Sequence, residues 1–347
     1  MKAEFGPPDQ PTRGAYRPLP FSSGGGFMAT RGPSHPAPPS MKAIASLFII
    51  TAALLSPSGA ADPPVKVFLL AGQSNMEGQG VVSMDDPKNY NGGKGNLVWS
   101  MLHSASKDRM RHLREASGEW VVRDDVTIRF KAKGIVRTGG LTVGYTGYGG
   151  ASHIGPELQF GHVMGDHFQE PVLLIKTAWG GKSLFQDFRP PSAEGETGPF
   201  YTQMIQETRE ALAALGDTPH QLTGFVWQQG WNDMIDAAAT AEYAENLVHL
   251  AADIRAEFAS PDLPIVIGEL GNLGPAKEGT GMHRFRQAQK DGAARIPHSL
   301  FVETHPFARP AELSPNIGHG HHWFGNAESY FLIGDALGEG MKRLLRP

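Results

Sequence analysis

The chain has 347 residues and no cysteine. That absence excludes disulfides, thiolate metal sites and a cysteine nucleophile together. It leaves the compartment open, because a large exported protein can fold without disulfides. Blocks of like charge are also missing, and the formal net charge is only -4 at pH 7. The chain therefore has no arm suited to a polyanion or to lipid headgroups, and no nucleic-acid partner is expected. The apolar stretch Ala43–Leu55 is shorter than the ~20 residues that span a bilayer. What is present is a 40% hydrophobic composition with 43 Gly and 27 Pro. This suffices for one sizeable core, or two small ones, in a loop-rich protein.

Met41–Ala61 reads "MKAIASLFIITAALLSPSGAA". Lys42 supplies a charged n-region, Ala43–Leu55 an apolar core, and Ser58 and Ala60 the small residues of a cleavage site. This is the form of a secretory signal peptide; a short membrane anchor is the alternative. Residues 1–40 are Pro/Gly-rich and cannot build a core. The expected organisation is a disordered segment 1–40 outside the true protein, with translation starting at Met41, a signal peptide 41–61, and one domain over 62–347. The mature protein is expected to be periplasmic or secreted, without stable membrane insertion.

Five short apolar runs predict buried strands: Val65–Ala71, Val172–Thr177, Gly224–Gln228, Pro264–Leu270 and Ser299–Glu303. Between and after them, helical patterns cover Glu157–Phe168, Thr202–Leu215, Ala241–Phe258, Met282–Arg295 and Ala327–Leu345. Strands alternating with helices predict an α/β fold around a parallel sheet with right-handed crossovers. Such a sheet is covered on both faces, which accounts for continuously apolar strands. Its functional loops lie at the carboxyl ends of the strands. Residues 81–154 break the alternation. They read as a long insertion after the first strand with a few short strands or hairpins, either functional or an ordinary surface excursion.

The first strand runs into "FLLAGQSNMEGQG", Phe68–Gly80. Gly72 allows a sharp turn and Ser74 stands just beyond it, as a presented hydroxyl or as a helix N-cap. The other strand ends bear on that choice. "KTAWGGKSL" follows the second strand with Gly180 and Gly181, and "VWQQGWND" follows the third with Asn232 and Asp233. "GHGHHWFGNAESY" precedes the last helix. Acyl transfer needs these parts: a serine with a base in reach, and pre-positioned donors for the oxyanion.

The blocks "GQSNM", "GG" after "KTAW", "QGWND" and "HHWFGNAESY" resemble those of the SGNH hydrolases, in the sialate O-acetylesterase-like branch that includes the acetylxylan esterases of carbohydrate esterase family six. The resemblance runs from about Val65 to the C-terminus. It implies a flavodoxin-like three-layer fold and hydrolysis of O-acetyl esters on carbohydrates, with no metal or cofactor. It also implies Ser74 as nucleophile, His322 as base, and an oxyanion hole of Ser74 N–H, Gly180 and Asn232. Gln73, Trp179, Trp231 and Trp323 are expected to contact the sugar, with buried loop packing the alternative for each tryptophan.

One position departs from the family pattern. Members usually carry an aspartate three residues before the catalytic histidine, and here that residue is His319. A histidine supplies no negative charge to an imidazolium. The orienting acid is therefore expected at Asp233, beside Asn232, in the loop where some members carry a glutamate at the position of Trp231. Glu269, ending the fourth strand, is the alternative. His319, His321 and His322 also suggest a metal site, but no matching carboxylate or imidazole set stands elsewhere. Glu157 reads as first-turn helix charge. The reading is a secreted serine esterase acting on acetylated carbohydrate. A glycan-binding module that kept this fold without turnover is the alternative, because fold alone does not decide activity.

Overall fold

Strand β1 (Val65–Gly72) is almost entirely buried and feeds two cores at once. Val67, Leu69 and Ala71 enter one cluster; Phe68 and Leu70 enter the other. This is the alternation of a strand covered on both faces. The computed structural model describes residues 63–346, so the readings for 1–40 and for the signal peptide 41–61 lie outside the described residues.

In chain order the strands are β1, β2 (Gly80–Val81), β3 (Arg123–Ala132), β4 (Ile135–Leu141), β5 (His153–Ile154), β6 (Val172–Ala178), β7 (His220–Gln228), β8 (Ile265–Gly268) and β9 (Ser299–Val302). The helices are α1 (Ser74–Glu77), α2 (Leu97–His103), α3 (Glu157–His167), α4 (Pro199–Ala213), α5 (Trp231–Met234), α6 (Ala237–Glu257), α7 (Gly281–Ala294) and α8 (Ala327–Leu344). Seven strands form one sheet in the order β4-β3-β6-β1-β7-β8-β9. Every pairing is parallel except β3 with β4.

Setting the β3–β4 hairpin aside leaves β6-β1-β7-β8-β9, which is the flavodoxin-like order 2-1-3-4-5. The chain reverses direction across the sheet at β1, so the crevice at the carboxyl ends of β1 and β7 is the expected place for a ligand. Helices α3 and α8 cover one face with Leu158, Phe160, Phe331 and Leu337. Helices α4, α6 and α7 cover the other with Met204, Tyr243, Leu250 and Phe285.

All five expected strands and all five expected helices are present, with shifted ends. Strand β7 begins at His220, where the polar residues "HQ" gave no apolar signal. The segment 81–154 is more integral than a surface excursion. Its strand β3 pairs in parallel with β6 and buries Val126, Ile128 and Phe130, so the insertion widens the central sheet by two strands. Among the described residues no helix is long and apolar enough to cross a membrane.

Candidate active site

Gly72 ends β1 beside the end of β7. A Cβ at Gly72 would lie 2.1 Å from the Gln228 carbonyl oxygen, so only a bare Cα lets the two strand ends approach this closely. The chain then makes the single turn α1. The N–H groups of Met76 and Glu77 donate to Gln73 O, each at 2.9 Å, and Gly78 N–H donates to Ser74 O at 2.9 Å. Ser74 is the first residue of this turn rather than its cap, which frees its hydroxyl for another partner.

That partner comes from the other end of the chain. Residues Gly320–Gly325 form a 3-10 segment in which Trp323 and Phe324 both have φ of 54°. Left-handed backbone at two bulky residues costs of order 1–3 kcal/mol each and persists only when the surroundings impose it. Here the Trp323 side chain is buried in the core. The Asn75 and Asn272 amides donate to His321 O at 3.1 and 2.6 Å. The Tyr330 hydroxyl donates to Asn75 Oδ1 at 2.8 Å and lies 3.4 Å from His322 O. The result places His322 Nε2 3.0 Å from Ser74 Oγ.

The other ring nitrogen, His322 Nδ1, is buried and has no hydrogen-bond partner among the described residues. Burial pushes the His322 pKa down to about 3, helped by the neighbouring His321 and His319. The imidazole therefore stands neutral, as a base must, but among the described residues no carboxylate supports its charged form.

Neither expected acid reaches it. Asp233 is fully buried and accepts from Leu184 N–H at 3.0 Å, Phe185 N–H at 2.9 Å and Gln229 Nε2 at 2.5 Å. Burial pushes its pKa up to about 6 against the pull of those bonds. It turns inward from α5 and pins the loop after β6, although its neighbour Asn232 faces the site. Glu269 accepts from Thr304 N–H, His305 N–H and His305 Nδ1 at 2.8, 2.9 and 2.8 Å. The expected link from Asp233 or Glu269 to His322 is thus absent, because each carboxylate is already saturated by loop donors.

The expected oxyanion donors are only partly open. Ser74 N–H makes no backbone hydrogen bond among the described residues. Asn232 uses one amide hydrogen on Gly181 O at 2.9 Å and keeps the other, while its Oδ1 accepts from Gln73 Nε2 at 3.3 Å. Gly180 has one N–H, and it donates to Glu77 Oε2 at 2.8 Å. Gly180 is therefore engaged in this state, not open as expected.

The expected sugar contacts also divide. Gln73 is 2% exposed, and its Oε1 accepts from Gly230 N–H at 3.0 Å and Gln229 Nε2 at 3.2 Å. It positions the loop bearing Asn232 and has no surface for a substrate. Trp323 is core. Trp179 packs on Phe188 and Phe200 with ring centroids 5.8 and 5.2 Å away. Trp231 is half-buried with its ring 5.5 Å from that of His321, so of the three it is the one beside the histidine loop. Among the described residues, no group of three or more His, Asp or Glu side chains is arranged to hold a metal ion.

Several residues at the site escaped the sequence reading. Lys176 is wholly buried near the end of β6. Its Nζ donates to Glu157 Oε2 at 2.8 Å, Tyr145 O at 2.7 Å and Glu77 O at 3.0 Å. It thereby ties the nucleophile turn to the insertion. Glu157 stands in the first turn of α3, as expected, and is also the buried counter-ion of Lys176. Gln79 Nε2 lies 3.1 Å from His322 Nε2, and the Tyr148 ring lies 6.2 Å from the His322 ring. A lysine inside a continuously apolar strand was a readable signal; the partners of Gln79 and Tyr148 were not.

A family model described as carbohydrate esterase, sialic acid-specific acetylesterase, matches residues 64–339. A probable carbohydrate esterase of Arabidopsis thaliana is 23% identical over 231 residues, covering 65% of this chain and 75% of the relative. The X-ray structure of an Arabidopsis thaliana protein superposes with a TM-score of 0.54 at 17% identity, covering 81% of this chain and 99% of the other. A carbohydrate acetylesterase from Xanthomonas citri gives a TM-score of 0.47 at 16% identity over 79% and 57% of the two chains.

Proposed function

The chain belongs to the carbohydrate esterase family of sialic acid-specific acetylesterases, and from that membership we propose that it removes O-acetyl groups from carbohydrates through a Ser74–His322 acetyl-enzyme mechanism. The observation that carries the mechanism is the 3.0 Å contact between Ser74 Oγ and His322 Nε2 at the switch point of the sheet. Sequence separation does not produce that contact by chance of locality; the 3-10 segment and the Asn75 and Tyr330 bonds hold it.

Ser74 Oγ attacks the acetyl carbonyl carbon and its proton passes to His322 Nε2. The carbonyl oxygen becomes an oxyanion, for which Ser74 N–H and the free Asn232 amide hydrogen are the available donors. Gly180 N–H joins them only on release from Glu77. The bond from carbon to the sugar oxygen then breaks, and His322 returns the proton to that oxygen. Water attacks the acetyl-Ser74 ester, gives a proton to His322, and acetate leaves as the proton returns to Ser74.

The signal-peptide pattern at Met41–Ala61 supports action outside the cytoplasm. Acetate release from acetylated xylan and from O-acetyl sialic acid tests the reading and separates the two sugar classes. Turnover on either, lost in Ser74→Ala, is the expected result. The unpartnered His322 Nδ1 favours one rival, a glycan-binding module with little turnover. Glycan binding without acetate release from either substrate would select it.

A further inference from the structure

Gln79 is 8% exposed, and its side-chain nitrogen lies 3.1 Å from His322 Nε2, the same ring atom that faces Ser74 Oγ at 3.0 Å. We propose that Gln79 is the positioning residue of His322, fixing the imidazole with its proton on Nδ1 and its lone pair on Nε2. This rests on the serine esterase reading above. It assigns to Gln79, from the Nε2 side, the choice of tautomer that a carboxylate at Nδ1 makes in a full triad.

Shape alone does not distinguish the two ends of a glutamine amide; the hydrogen-bond network does. The Tyr148 hydroxyl faces Glu77, which acts on it as an acceptor, and Gln79, which acts on it as a donor. An ionised carboxylate only accepts, and a phenol has one hydrogen to give. Glu77 already accepts from Gly180 N–H at 2.8 Å, so the Tyr148 hydrogen goes to Glu77 as well. The Tyr148 oxygen is then left as an acceptor, and Gln79 must present its NH2 end to it. That same NH2 faces His322 Nε2. A donor there requires a lone pair on Nε2, and hence the proton on Nδ1. This is the tautomer that can take the Ser74 proton.

The surroundings are built closely around this chain of groups. A Cβ at Gly147 would fall 1.7 Å from Glu77 Oε1, and one at Gly180 would fall 2.1 Å from the Tyr148 hydroxyl. Both positions therefore need glycine for the Glu77–Tyr148 pair to exist. Burial pushes the Glu77 pKa up, against the pull of Tyr148, Lys176, Gly180 N–H and Lys133. The Tyr330 hydroxyl lies against the Gln79 backbone and is also 3.4 Å from His322 O. Gln79 and the histidine loop thus share one anchor.

Gln79 differs from a carboxylate in one respect. Its NH2 faces the site where the proton arrives, so it sets the resting tautomer and does nothing to stabilise the imidazolium.

The test is nitrogen-15 NMR of His322 in the resting enzyme, assigned against His322→Gln, together with ester turnover. The wild-type ring should carry its proton on Nδ1. Tyr148→Phe keeps the ring and breaks the link, and Gln79→Met removes the donor. Both should move the proton population toward Nε2 and lower kcat by about 10- to 100-fold, with KM nearly unchanged. Tyr148 is at the surface, so its variant remains informative if Gln79→Met does not fold. A wild-type proton on Nε2, or an unchanged tautomer in a folded variant, overturns the proposal. A tautomer response in a wild type that releases no acetate removes the esterase reading and leaves the hold of Gln79 on the ring in place.

Discussion

His322 faces Ser74 at 3.0 Å through Nε2, while its Nδ1 is buried with no partner among the described residues. The pair is therefore set up for proton transfer from one side and unsupported from the other.

Asp233→Asn should affect stability far more than turnover. An asparagine must point its NH2 at one of three donors, Leu184 N–H, Phe185 N–H or Gln229 Nε2. Leaving a buried donor unsatisfied costs about 1–3 kcal/mol, which thermal unfolding will register. In the folded fraction kcat should stay within about tenfold of wild type. Loss of an orienting acid costs about 10⁴-fold, and a fall of that size would restore Asp233 to the mechanism. Glu269→Gln should behave likewise through Thr304 and His305.

The pH dependence has a definite sign. The His322 pKa in the fold is about 3, against an ordinary value of 6.5. Between these values the unfolded chain binds a proton that the folded chain does not, so the unfolded state gains as pH falls. The contribution of His322 to stability is full above pH 6.5 and is lost as pH drops toward about 3. For the same reason kcat/KM should show no acid limb at 6.5. A limb at that value in a pH–rate profile would mean that the imidazolium is stabilised by a group not bonded to it here.

The fold was readable because β1, β6, β7, β8 and β9 are buried on both faces and so carry unbroken apolar runs. The approach of His322 to Ser74 was readable because each sits in a short block tied to a strand or helix end. The side chains around them were not. Asp233 and Asn232 are adjacent, yet one turn of α5 sends the first inward and leaves the second at the site. Gln73 reads as a sugar contact, but the approach of β7 buries it. Gln79 meets His322 only through the long return of the chain, and Tyr148 arrives on an insertion whose place in the sheet depends on β3 pairing with β6.

Glu157→Gln should lower stability by about 3–5 kcal/mol, the usual cost of breaking a buried ion pair by removing one charge. Lys176 is fully buried and has Glu157 as its charged partner at 2.8 Å; its other two acceptors are carbonyls. Urea unfolding will measure this. A loss under about 1 kcal/mol would show that the carbonyls alone suffice for the ammonium.

His319→Asp should raise activity. Residue 319 precedes His322 by one turn of the 3-10 segment, and His322 N–H already donates to its carbonyl oxygen at 2.9 Å. The His319 ring is exposed, so replacing it disturbs no core. Two effects then act in the same direction. Removing an imidazole takes away one of the neighbours that depress the His322 pKa. A carboxylate beside Nδ1–H adds an acceptor for that proton and a negative charge for the imidazolium. Gln79 and this carboxylate select the same tautomer from opposite sides of the ring, so they do not compete. The new charge supplies the stabilisation that Gln79 cannot give. We expect kcat to rise by about tenfold, a modest part of the ~10⁴ associated with an optimised acid, and the acid limb of kcat/KM to move upward in pH. The two changes should appear together, since both report the same stabilised imidazolium. An unchanged kcat with an unmoved limb, in a variant of wild-type stability, would show that residue 319 does not reach the ring.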